Sequence, residues 1–204
     1  MVRRLAYSNM IELPKLILAS GSPRRSDILA SVGWDFVKHP ADIDESERAG
    51  EAPEDYVVRL AREKAEAVAS QYPKGTVLGA DTTVVIEDQI LAKPIDMADA
   101  RRMIGILAGK WHDVLTGVAI VCGGRTESGM QRTRVKFAPM TEDEIAFLAE
   151  MGEPLDKAGA YAVQAHASLF IEGIEGDFWN IAGLPINLVY EMVMNGRTST
   201  KAAL

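Results

Sequence analysis

Cysteine is almost absent: Cys122 is the single one in 204 residues. That excludes a disulfide framework and a zinc cluster built from several thiolates. No run approaches the roughly 18 consecutive apolar residues that a membrane-crossing helix needs. The first residues, Met1 to Ser8, carry charge but no apolar stretch long enough for a secretory leader, so the expected compartment is the cytoplasm, with no membrane partner. Basic charge is also short. Lys and Arg number 22 against 29 Asp and Glu, a formal net charge of −7. Such a chain is poorly suited to nucleic acid, because phosphate neutralisation needs a basic surface. An anionic ligand must instead be held by a local cluster of cations working against the global field. Repeats, low-complexity tracts and linkers are missing too. What remains is ordinary globular composition, 48% hydrophobic and 25% charged, which excludes general disorder. A chain of this size buries roughly 70% of its unfolded surface and folds without a staple.

The pattern alternates strands and helices. Leu16 to Ala19 reads as a buried strand, followed by a helix with Ser22 as N-cap, Pro23 at its first position and Gly33 as its stop. Trp34 to Lys38 reads as a second strand, and residues 40–53 as an acidic loop. Pro53 opens a helix with an apolar stripe of Val57, Leu60, Ala61, Ala65 and Val68. Thr76 to Ile86 is a long strand, onto which Ile90 to Ala92 can pair back. Asp96 caps a helix that buries Ala100, Met103, Ile104 and Leu107. Val114–Val121 and Arg132–Phe137 form a hairpin joined through the Gly-rich segment 123–129. Thr141 to Glu144 is a capping box. Ser168 to Ile174 reads as a strand, and Pro185 starts a last helix that Asn195-Gly196 stops. This order predicts an α/β fold with a mixed sheet. Residues 1–14 are expected to be a loose extension, 15–196 one domain and 197–204 a tail.

Four features carry chemistry. The strand–Ser20-Gly21-Ser22-Pro23-Arg24-Arg25–helix unit offers free N–H groups and a positive dipole end, which suit phosphate. Two arginines stand where that dipole disfavours cations. Either they clamp an anion or they are merely solvated. Second, Asp81 lies inside an apolar strand, so it is paired, ligates a metal or has a raised pKa. Third, Lys64 falls in the middle of its helix's apolar stripe, which is costly unless an anion waits there, while Lys93 can snorkel into solvent. Fourth, the segment from Glu153 to Gln164 clusters charges among small residues and reads from physics as a loop. His39, His112 and His166 show no metal-ligand spacing, Cys122 reads as core, and no Gly-x-Ser-x-Gly elbow is present.

Leu18–Arg25, Val57–Ala65, Gly79–Thr82, Leu91–Pro94, Thr116–Ala119, Glu153–Tyr161, Gln164 and Gly183–Pro185, taken together and in order, resemble the Maf family of nucleoside triphosphate pyrophosphatases. The resemblance implies a mixed, twisted β-sheet flanked by helices, of the Maf or ITPase-like kind, with two lobes and a central cleft. It implies hydrolysis of a nucleoside triphosphate to monophosphate and pyrophosphate, aided by a divalent cation, Mg²⁺ or Mn²⁺. Asp81 matches the general base. Arg24, Arg25, Lys64 and Lys93 match phosphate-handling positions, with Ser20 among the substrate-binding residues. Glu45, with Asp81, matches a metal or water ligand. Arg24, Thr82 and Gln164 match positions that mark the branch acting on dTTP and UTP. Ala92, Ala162, His166 and Trp179 depart from commoner family residues. The resemblance allows a homodimer. Two other readings stay open here, a nucleotide-binding regulator of cell division with secondary hydrolysis, and a pyrophosphatase acting on 7-methyl-GTP or on modified pyrimidine triphosphates. One tension also stays open: strand alternation puts Asp81 and Thr82 on opposite faces, yet both are assigned to one site.

Overall fold

The structure, a computed structural model, describes residues 11–201, with side chains to Asn195. It opens with β1 (Leu16–Leu18), α1 (Pro23–Ser31) and β2 (Phe36–Lys38), a right-sized unit for two parallel neighbours. Then come α2 (Pro53–Ala69), β3 (Thr76–Ile86), β4 (Gln89–Leu91), α3 (Met97–Leu107), β5 (Trp111–Cys122), β6 (Arg125–Phe137) and α4 (Glu142–Met151). Three short 3-10 turns lead to β7 (Ile171–Glu175), α5 (Phe178–Ile181) and α6 (Ile186–Lys201). The strands form one mixed sheet in the order β2-β1-β3-β5-β6-β7, with β4 also paired to β3. This is the mixed α/β architecture that the alternating pattern predicts.

Both faces of the sheet are covered, which is why β3 and β5 are apolar almost throughout. One face carries α2. Gly79 and Gly117 let that helix lie unusually close: a Cβ on either would stand 2.1 Å from a helix carbonyl, that of Ala61 or Val57. The opposite face carries two core clusters. One is built around Leu18, Leu29, Leu78 and Val189 from β1, α1, β3 and α6. The other joins Val84, Ile104, Phe137 and Leu148 from β3, α3, β6 and α4. These are the two lobes, and a cleft of about 520 Å³ runs between them.

The cleft lies at a break in strand pairing. On one edge β3 pairs continuously with β5, from Thr76 to Val85. On the other edge β1 covers only Thr76 to Leu78, and β4 covers Val84 to Ile86. Among the described residues, no strand covers that edge over residues 79–83. Side chains from both faces of β3 therefore reach one opening.

Several sequence expectations are corrected. The hairpin turn is only Gly123-Gly124, both with positive φ (57° and 75°), and the strands run right up to it. Two consecutive left-handed residues make the tight turn whose twist matches the flanking strands. Cys122 ends β5 beside that turn and is exposed, not core. The strand expected from Ser168 begins at Ile171, because His166–Leu169 forms a 3-10 turn closed by Phe170 N–H on Ala167 O. Asn195-Gly196 does not stop the last helix, which continues to Lys201. One glycine within a helix costs only about 1 kcal/mol. Residues 1–10 and 202–204 lie outside the described residues. The rest of the expected extension is anchored, since Leu13 packs against the α1–α6 core and Pro14 O accepts from Trp34 Nε1 at 2.8 Å.

Candidate active site

The two faces of β3 give the cleft two walls. The first faces α2. Lys64, buried at 7% exposure in the apolar stripe, donates to Asp81 Oδ1 at 2.6 Å and lies 2.8 Å from Glu45 Oε1. The anion that the lysine's position demands is thus a pair of carboxylates, one from β3 and one from the acidic loop. α2 itself anchors that loop. Arg59 Nε and Nη2 hold the Glu51 carboxylate at 2.5 and 2.7 Å, Nη2 also reaches Ser46 O, and Tyr56 Oη donates to Glu45 O at 3.0 Å. Burial, then the charges of Asp81 and Glu45, push the Tyr56 hydroxyl up to about 12, so it stays a neutral donor. Partial burial raises the Glu45 carboxyl, but the hydrogen bond and charge of Lys64, aided by Lys93 and Arg25, outweigh it and hold the group below the usual carboxylate range. Thr83 shares the Asp81 face, and its buried Oγ1 has no hydrogen-bond partner among the described residues.

On the second wall, the charge beside Thr82 is a single guanidinium. Arg25, only 8% exposed, donates Nε to Gly183 O at 2.9 Å, Nη1 to Ser20 Oγ at 2.9 Å and Nη2 to Thr82 Oγ1 at 3.2 Å. Every one of these acceptors is uncharged. Burial pulls the guanidinium down, and the Asp81 charge across the strand opposes that. A buried cation with neutral partners and remaining N–H donors is a site for an anion. Arg25 belongs to the first turn of α1, whose N-cap Ser22 makes no side-chain cap bond. The first-turn N–H groups are therefore left for a ligand. Beyond Thr82 the wall is lined by Val84, Val114, Tyr161 and Ile181.

Asp81 and Thr82 do point to opposite faces, and the strand neither bulges nor ends between them, since their pairings to Gly117 and Thr116 follow without a register shift. The open edge reconciles alternation with a shared site. Lys93 and Gln164 also line the cleft, as exposed residues of its rim.

Arg24 sits differently from Arg25. Its Nη1 bonds Asp156 Oδ2 at 2.9 Å and its Nη2 bonds Asp156 O at 3.1 Å. Lys157 Nζ holds the other oxygen of the same carboxylate at 2.7 Å. Burial raises Asp156, but Lys157 and Arg24 outweigh it and keep the group low. The segment from Glu153 to Gln164 is thus no plain loop: Asp156, Lys157, Tyr161 and Gln164 all line the cleft. Asp156 and Lys157 are charged lining residues that the physical reading of the sequence did not assign to a site. The available signal was a pair of charges set among small apolar residues.

Charge and shape together describe a pocket for a polyanion carrying a neutral ring, with a carboxylate held against the anionic end. The family model described as Maf-like protein matches residues 15–195. A protein named dTTP/UTP pyrophosphatase from Koribacter versatilis is 50% identical over 87% of this chain and 92% of its own. One of the same name from Symbiobacterium thermophilum is 45% identical over 89% of this chain and 93% of its own. A solved HAM1 protein from Coxiella burnetii aligns at a TM-score of 0.45 with 14% identity, over 63% of this chain and 75% of that one, too distant to bear on function. With its family model spanning the sheet, both walls and the cleft between them, the chain belongs to the Maf-like protein family.

Proposed function

We propose that this chain hydrolyses dTTP and UTP to the monophosphate and pyrophosphate. The observation that carries the reading is a buried carboxylate, Asp81, held by Lys64 at the same opening as a buried guanidinium, Arg25, that lacks an anionic partner. The names of the relatives support the choice of substrate.

In this mechanism the first-turn N–H groups of α1, Arg25 and Lys93 hold the triphosphate. Arg24 and Lys157, already gathered on Asp156, supply further positive charge at the mouth. Asp81 takes a proton from a water molecule. The water oxygen bonds to the α-phosphorus, the bond from that phosphorus to the bridging oxygen breaks, and pyrophosphate leaves with the electron pair. Phosphoryl-transfer chemistry rests mainly on such positioning and charge stabilisation. Lys64 keeps Asp81 aimed at the opening. Ser20 fixes Arg25, and Thr82 and Gln164 face the base.

Glu45 and Asp81 fit a divalent cation such as Mg²⁺ or Mn²⁺. Their oxygens converge on a single ammonium, and no group of three or more acidic, His or Cys ligands exists among the described residues. Two carboxylates completed by phosphate oxygens and water are the usual donor set for Mg²⁺. When bound, the ion supplies charge neutralisation on the phosphates.

The test is a panel of nucleoside triphosphates with released pyrophosphate as readout. dTTP and UTP are expected to lead the panel. Preference for 7-methyl-GTP, or binding without pyrophosphate release, contradicts the proposal.

A further inference from the structure

The hydroxyl of Thr82 is the end of a chain of hydrogen bonds whose direction can be worked out. Arg25 has only donors, so its Nη2 takes one lone pair of Thr82 Oγ1, at 3.2 Å. Behind Thr82, Thr116 Oγ1 lies 2.9 Å away. Thr116 Oγ1 in turn lies 3.2 Å from Asn180 O, a carbonyl that can only accept. The proton of Thr116 therefore goes to Asn180, and the proton of Thr82 goes to Thr116. The other acceptor near Thr82 is Gly183 O, at 3.4 Å against 2.9 Å to Thr116 Oγ1. Thr116 and Asn180 are both 0% exposed, so water does not compete for these bonds. Asn180 is itself fixed, its amide donating to Val114 O at 2.9 Å and Thr133 Oγ1 at 3.0 Å.

We propose that Thr116 is a positioning residue for base selection: it draws the Thr82 proton inward, so that Thr82 meets the base only as an acceptor. Uracil and thymine carry a hydrogen on N3 and can donate to that lone pair. Cytosine presents a bare N3 there, and two facing lone pairs leave both groups unsatisfied. Sites built to bond a substrate N–H reject an analogue that lacks it strongly, because their own polar groups are then left unpaired. The inference rests on the pyrimidine triphosphate reading above and adds a residue that touches no ligand.

The test measures kcat/KM for UTP, CTP and 3-methyl-UTP, whose N3 bears no hydrogen, in the full chain and in Thr116→Val and Thr116→Ser. Valine keeps the branched shape suited to a buried strand. Thr116→Val is expected to hydrolyse UTP and to lower the UTP:CTP ratio at least about tenfold, because a released Thr82 proton can now donate to the cytosine N3. Thr116→Ser restores the ratio. The unmodified chain is expected to reject 3-methyl-UTP by at least about tenfold, a result that needs no variant to fold. An unchanged ratio in Thr116→Val, or 3-methyl-UTP turned over like UTP, overturns the proposal while leaving the pyrophosphatase reading intact. Absence of pyrophosphate release from UTP by the unmodified chain overturns the underlying reading as well.

Discussion

The two faces of β3 solve opposite problems a residue apart. Asp81 and Lys64 are charged and buried, and they survive burial by neutralising each other. Thr116 and Asn180 are buried and uncharged, Thr82 is half-buried beside them, and hydrogen bonds pass through the three in one direction. Low dielectric makes both arrangements sensitive to the loss of a single member. The charged face suits activation of water. The other face suits recognition of a ring, with Arg25 beside Thr82 to meet the phosphates. Because no strand among the described residues covers one edge of β3 over residues 79–83, one strand serves both at one opening.

The largest expected effect comes from the charged face. Asp81→Asn keeps the shape and the hydrogen bond to Lys64 but removes the base, and turnover of UTP should fall by about 10²–10⁴. Steady-state pyrophosphate release measures it, and near-normal turnover rejects the assignment. Lys64→Met leaves Glu45 and Asp81 facing each other without their ammonium. Breaking one side of a buried pair costs about 3–5 kcal/mol, or a melting temperature lower by roughly 10 °C for a chain of this length. Mg²⁺ or Mn²⁺ should restore more of that loss than it adds to the unmodified protein. A variant that melts normally, or that ignores both ions, breaks the account of this face.

The neutral face predicts a smaller, pH-dependent effect. His112 bonds Tyr161 Oη through Nε2 at 2.8 Å, and burial pushes it from 6.5 down to about 4. Below pH 6.5 the unfolded chain takes up a proton at this residue that the folded chain refuses. Its contribution is therefore fully present above pH 6.5 and is lost as pH falls toward about 4, by about 3 kcal/mol in all. Urea unfolding at pH 7 and pH 5 should show the loss, and His112→Gln should flatten it. An equally steep slope in that variant assigns the effect elsewhere.

Much of the charged face was legible because burial of a charge is conspicuous in a pattern. Helical periodicity put Lys64 inside an apolar stripe, and Asp81 stood alone among strand residues. Choosing Glu45 from its acidic loop needed the family resemblance, since Asp42, Asp44, Glu47 and Glu51 offer the same chemistry. The structure separates two of them from Glu45, which meets Lys64: Asp44 turns back onto Ser46 and Glu51 onto Arg59. The neutral face was nearly silent. Threonines in strands are ordinary β formers, and nothing local joins Thr82 to Thr116 and Asn180. The contact of Arg24 with Asp156 and the open edge of β3 are likewise long-range facts, set by where β1 ends and which strands pair. Alternation sets Thr82 against Asp81, and the open edge of β3 that reconciles them leaves no local mark in the sequence.

The most direct test of this division of labour is kcat/KM for UTP and CTP in Asp81→Asn. Both values should drop by about 10²–10⁴ while their ratio stays that of the unmodified protein. A ratio that collapses along with the rate would show that one face does both jobs and would contradict the account.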